Sequence, residues 1–134
     1  MPNSNLSIAH SLLDRIASGA SAAKVAELAS ENLVFEIQGD PTILPWIGEA
    51  KHGRQALADF IEQQRELVQS DGFRVDDVLA STGRAVIVGE LTSTLRLTGK
   101  VLRTQFAIVL TISEGEIIRF QMLEDSYAVS QAAR

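Results

Sequence analysis

Three stretches in the second half of the chain, "RAVIVGELTSTLRL", "KVLRTQFAIVLTI" and "EIIRFQMLED", restrict its fold more than anything else in the sequence. Each is long, rich in β-branched and aromatic residues, and alternates in the manner of a half-buried strand. The breaks between them, "TGK" and "SEGE", are short glycine turns suited to antiparallel hairpins. A shorter strand pattern, "FRVDDVLA", precedes them across "STG". From Phe73 onward the chain therefore predicts an antiparallel meander, with strands long enough to curl and leave a concave inner face.

The first half reads as helix. Leu6, Ala9, Leu12, Leu13 and Ile16 fall at helical spacing, and "SGA" at 18–20 stops that helix. Ser21 is the N-cap expected for a short second helix carrying Val25 and Leu28. A strand, "NLVFEIQ", comes next, followed by a loop with Pro41, Pro45 and the only tryptophan, Trp46. A third helix places Ala56, Leu57, Phe60, Ile61, Leu67 and Val68 on one stripe and ends at "SDG". Helices segregated from a long meander make an α+β fold. The 134 residues fit a single domain spanning 1–134, and a composition of 46% hydrophobic and 22% charged residues suits a folded globule.

Charge and motif content exclude several function classes. Twelve basic residues against 17 acidic ones leave a net charge of −5 with no basic cluster. Nucleic acid and anionic membrane surfaces both require a concentrated positive field, so neither is expected as a partner. With no cysteine, disulfides, thiolate nucleophiles and Cys-type metal centres are ruled out. The two histidines, His10 and His52, lack the pairing of a zinc site. The glycine turns lack the frame of a phosphate loop, and no G-x-S-x-G occurs. No cofactor and no metal are expected. The opening segment lacks a basic stretch followed by an apolar one, and runs such as "FAIVL" are too short to cross a bilayer, so the expected location is the cytoplasm.

The order "ASENLVFEIQG", "LPWIGEAKHGRQALADF" and "LTGKVLRTQFAIVLTISEGEIIRFQMLEDSYAVSQA" resembles the nuclear transport factor 2-like superfamily, and in it the SnoaL-like and ketosteroid-isomerase-like members. The likeness runs from about Leu6 to Ala132. It implies a cone-shaped α+β barrel, in which a strongly curved, mostly antiparallel sheet wraps the N-terminal helices around one apolar pocket. It also implies a homodimer formed through the outer sheet face. It does not imply one activity, because this fold hosts isomerases, cyclases, hydrolases, binding proteins and assembly modules.

The resemblance puts Glu36 where the isomerases keep a general-base aspartate, and Val34 and Gln38 on the same inward face. The same register sends Leu91, Ser93 and Leu95 inward, with Thr104, Phe106 and Ile108, and with Ile118, Phe120, Met122 and Glu124. Trp46 is either a core plug or a lid over a ligand. The expected ligand is a small lipophilic molecule, and Glu36 is the candidate general acid or base, with Glu124 or His52 assisting. A carboxylate in an apolar pocket has its pKa raised and can move a proton from a carbon acid or activate a water. The residues that hold an enolate in the isomerases are replaced by Leu12 and Ile108, so steroid-type isomerisation in its usual form is not expected. The position at which polyketide cyclases carry an acid is Met122, one alternation before Glu124. The alternatives to an enzyme are a binding protein in which Glu36 and Ser93 orient the polar end of a ligand, and an assembly module with a vestigial pocket.

Overall fold

Caps and apolar stripes start the helices where they stand in the computed structural model, which describes residues 4–134. The first three residues of the expected 1–134 domain lie outside the described residues. Helix α1 (Asn5–Ala17) is capped by Ser4, whose hydroxyl accepts from the Ser7 N–H, and it buries Ile8, Ala9 and Leu12. Ser21 caps α2 (Ala22–Ala26) in the same way through the Lys24 N–H. The remaining elements are β1 (Ala29–Glu36), β2 (Lys51–His52), α3 (Arg54–Leu67), β3 (Val68–Ala80), β4 (Arg84–Leu95), β5 (Val101–Ser113), β6 (Glu116–Glu124) and α4 (Ser126–Ala133).

The strands form one curved sheet in the order β2-β1-β6-β5-β4-β3, unclosed because β2 and β3 remain as edges. Only β1 and β6 pair in parallel, with Phe35 opposite Phe120. All other neighbours are antiparallel. The α+β class and the curved, mostly antiparallel sheet around N-terminal helices are as the sequence predicts. The β5–β6 turn is made by Glu114 (φ 53) and Gly115 (φ 78), the left-handed pair that a tight hairpin of this twist requires.

The core is pinned by aromatic rings. Phe35 stacks on Phe120 with centroids 5.2 Å apart, and Phe60 of α3 closes on both at 5.2 and 6.0 Å. Trp46 meets Phe60 edge-on at 5.6 Å. Each such ring contributes about 1.5–3 kcal/mol by burial, and each pair about 0.5–1.5 kcal/mol more.

Three local expectations are corrected. The "SDG" at 70–72 is not a break after α3, because β3 begins directly at Val68 and Asp71 is bulged out between Ser70 and Gly72. The bulge is held by the Thr94 hydroxyl, which donates to the Asp71 carboxylate at 2.6 Å. In β6 the register slips between Ile117 and Arg119, so Ile118 leaves the inward set and is exposed. In β1 the inward side chains are Leu33, Phe35 and Ile37, which puts Val34, Glu36 and Gln38 on the opposite, convex face. Burying three large apolar side chains outweighs burying a carboxylate and an amide that have no partners inside. Helix α4, begun by Asp125 whose carboxylate accepts from the Ala128 N–H, has no counterpart in the reading of the sequence.

Gly89 is where backbone and ring approach β4 too closely for a side chain. A Cβ there would sit 1.9 Å from the Arg74 carbonyl oxygen and 3.0 Å from the Phe106 ring, beside the second bulge of β3. Replacing Gly89 with Ala is therefore expected to cost about 3 kcal/mol, the upper end for overpacking, as read from the urea midpoint.

Candidate functional site

The concave face of the sheet and α3 leave one narrow cavity between them, closed at its rim by the loop that follows β1 and by α4. Its wall is Phe60 and Gln64 of α3, Val68 at the start of β3, and Leu91, Ser93 and Leu95 of β4. Leu102 of β5 and Met122 and Glu124 of β6 continue the wall, and Leu44, Trp46 and Val129 complete it. The space open to a water-sized sphere is about 40 Å³, room for one or two waters.

Glu124 is the one carboxylate in this wall. It lies on the inward face at the end of β6, cross-strand from Phe106. Burial raises its pKa from 4.5 to about 7, and no hydrogen bond or neighbouring charge offsets that effect. A carboxyl placed in this way changes charge near neutrality, the condition for moving protons efficiently in either direction. The other polar residues of the wall are Ser93 and Gln64.

Trp46, Leu91, Ser93, Leu95, Met122 and Glu124, all expected at the site, are brought together. Trp46 is buried edge-on against Phe60, as a core plug would be, and also lines the cavity. Ile108 and Phe120 point inward but belong to the packed core. Thr104 and Phe106 line, with Glu124, a wide groove at the end of β6 that also takes in Glu90, Arg103, Gln105 and Asp125.

Glu36 and His52 do not reach the cavity. Glu36 accepts from Arg119 at 3.0 Å and from Gln121 at 3.5 Å, both on the convex face. His52 is exposed on β2 opposite Val34, and Gln38 is exposed beyond the end of β1. Phe60, Gln64, Leu44, Val68, Leu102 and Val129 were not anticipated. The strand members among these follow from the inward face of β4, since Leu102 pairs with Ser93 and Val68 with Leu95. Among the described residues, no group of His, Asp and Glu is placed to hold a metal ion, and no helix is long and apolar enough to cross a membrane.

Residues 9–120 match the SnoaL-like domain. The chain belongs to that family. A curated relative, patulin biosynthesis cluster protein F of Penicillium expansum, is 27% identical over 92 residues, which are 67% of this chain and 46% of that protein. This SnoaL-like chain thus matches less than half the length of that relative. Among solved structures, an NTF2-like protein from Burkholderia xenovorans superposes with a TM-score of 0.85 at 18% identity, covering 97% of this chain and 95% of that one. Another NTF2-like protein, from Burkholderia thailandensis, gives 0.83 at 17% identity, with 98% of each chain covered. A protein of ketosteroid-isomerase-like fold from Catenulispora acidiphila, crystallised with trimethylamine, gives 0.73 at 10% identity over 94% of this chain and 91% of that one. These likenesses concern the fold.

The raised pKa of Glu124 has a consequence for stability. The folded chain keeps this proton up to about pH 7, whereas the unfolded chain loses it near 4.5, so stability falls as pH rises through that window and levels off above it. The loss amounts to about 3 kcal/mol. Glu124→Gln is expected to abolish this slope, making the variant more stable than the parent above pH 7 by up to that amount. Urea unfolding from about pH 5 to about pH 8 reads both curves.

Proposed function

We propose that this chain is a cytoplasmic protein that binds a small lipophilic molecule in the Glu124 cavity and transfers a proton on it with Glu124. The observation that carries this reading is a single carboxyl, raised to about pH 7 by burial, set in a wall of Leu, Met, Phe, Trp and Val side chains. Protonated, Glu124 donates to a carbonyl, epoxide or lactone oxygen. Ionised, it takes a proton from a carbon acid or from water. Isomerase, cyclase and hydrolase chemistry all use such a group, and the proton-transfer role expected of Glu36 passes to Glu124 because Glu36 lies on the convex face. The experiment is a thermal-shift screen of hydrophobic ketones, lactones and epoxides, followed by turnover of any that bind. Glu124→Gln is expected to retain binding and to lower turnover by about 100-fold or more. Unchanged turnover would remove the catalytic role.

The 40 Å³ volume favours a second reading, in which the chain is a non-catalytic binding or assembly module. A screen that yields no ligand supports it.

The assembly partner in either reading is a second copy, docked on the convex sheet face. Val88, Ala107 and Leu123 form one cross-strand row there, and Leu79, Val86 and Val109 form the next. Leu79 and Leu123 are 54% and 46% exposed. Ion pairs flank this band, Glu36 with Arg119 on one side and Glu90 with Arg74 and Arg103 on the other. Sedimentation equilibrium is expected to show a dimer, and Val88→Arg a folded monomer. A parent chain that sediments as a monomer would exclude this pairing.

A further inference from the structure

A cavity of 40 Å³ is too small for its proposed occupant. An apolar cavity must reach about 150 Å³ to take a benzene ring. If the ligand reading holds, on which this inference rests, part of the wall has to move. Phe60, Leu91, Leu95, Leu102 and Met122 are buried members of α3 and the sheet, and displacing them would undo the core. Trp46 and Val129 are buried as well, and what sets the rest of the rim apart is the elements that carry it. Leu44 and Trp46 stand on the loop after β1, and Val129 stands on α4.

Helix α4 is eight residues long and buries only Val129 and Ala132. A helix of that length does not hold itself together in water, so its docking depends on its contacts. Those contacts are few and gathered at its C-terminal end. The Thr98 hydroxyl donates to the Ala132 carbonyl at 2.6 Å, and the Lys100 ammonium donates to the Arg134 carbonyl at 2.6 Å. The Arg134 guanidinium spans to the Asp40 carboxylate at 2.6 Å, with the two side chains 60% and 30% exposed. Asp40 is in turn fixed to its loop by the Thr42 hydroxyl and N–H, at 2.7 and 2.9 Å. At the other end, the Asp125 N–H is anchored on the Thr104 hydroxyl, one residue beyond Glu124.

We infer that α4 is a hinged gate over the Glu124 cavity, pivoting at Asp125 and latched to the loop after β1 by the Arg134–Asp40 ion pair. The hinge adjoins the reactive carboxyl, which borders both the cavity and the groove at the end of β6. Opening withdraws Val129 from the cavity wall while the hinge keeps its place beside Glu124. An exposed ion pair is a weak and salt-sensitive latch, suited to frequent opening.

Trp46 is the only tryptophan, is buried, and lines the cavity, so its quenching by acrylamide, a small neutral molecule, reports the gate. Arg134→Ala is expected to raise the quenching constant by about two- to five-fold, the range an exposed ion pair supports. Thr98→Val, which touches α4 and not the Trp46 loop, is expected to raise it as well. In the parent the constant rises with salt, and in Arg134→Ala it does not. Thr98→Val quenching like the parent would overturn the gate, because only the loop would then be moving. A salt response that survives Arg134→Ala would overturn the latch. Cyclohexanone titrated against Trp46 fluorescence separates the two levels of inference. Altered quenching without saturable cyclohexanone binding supports the gate and counts against the ligand reading.

Discussion

The stacking of Phe35 on Phe120 decides more of this structure than any other contact. It joins the first strand to the last in parallel, sets which residues of β1 point inward, and gives Phe60 of α3 a surface to close against. Once Phe35 is inside, alternation forces Glu36 out, where Arg119 and Gln121 receive it. The interior then keeps a single carboxylate at the cavity, Glu124 at the end of β6, in a wall that includes Trp46, Val129 and Leu44. The place of this carboxylate is thus a by-product of register. The strand that packs best leaves its acid outside, and the strand that ends early keeps its acid at the border of the core.

The parts legible in the sequence are those governed by strict alternation between short turns. Leu91, Ser93 and Leu95 in β4, and Thr104, Phe106 and Ile108 in β5, face inward as expected because nothing interrupts those strands. The errors fall where the period breaks or was overruled. Ile118 faces out because a bulge adds a residue to β6, and a bulge of this kind has no clear mark in "EIIRFQ". Glu36 is a different case. The pattern Leu33, Phe35, Ile37 against Val34, Glu36, Gln38 already states the register, and the likeness to the isomerases pointed the other way. Local hydrophobic pattern carried the better physical information.

Residues contributed by helices were the hardest to foresee. Gln64 stands on the apolar stripe of α3 by spacing, four residues after Phe60 and three after Ile61, and only its polar side chain kept it out of the expected set. Helix α4 left a legible trace, Asp125 as a cap before an alanine-bearing run, but no apolar stripe of the length that marks a core helix. Short capping elements of this kind take their stability from what they cover.

The parallel pairing of β1 with β6 also bears on how the chain comes to be folded. The only other strand beside β1 is the two-residue β2, so the long edge of β1 stays open until β6, far along the chain, pairs with it. Contacts of such long sequence separation form late, after the entropy of a very large loop has been surrendered. The meander β3–β6 can assemble hairpin by hairpin, while β1 waits for β6. Until β6 arrives, Phe35 and Phe120 each lack the ring they stack on, which makes this pairing the step most exposed to misassembly.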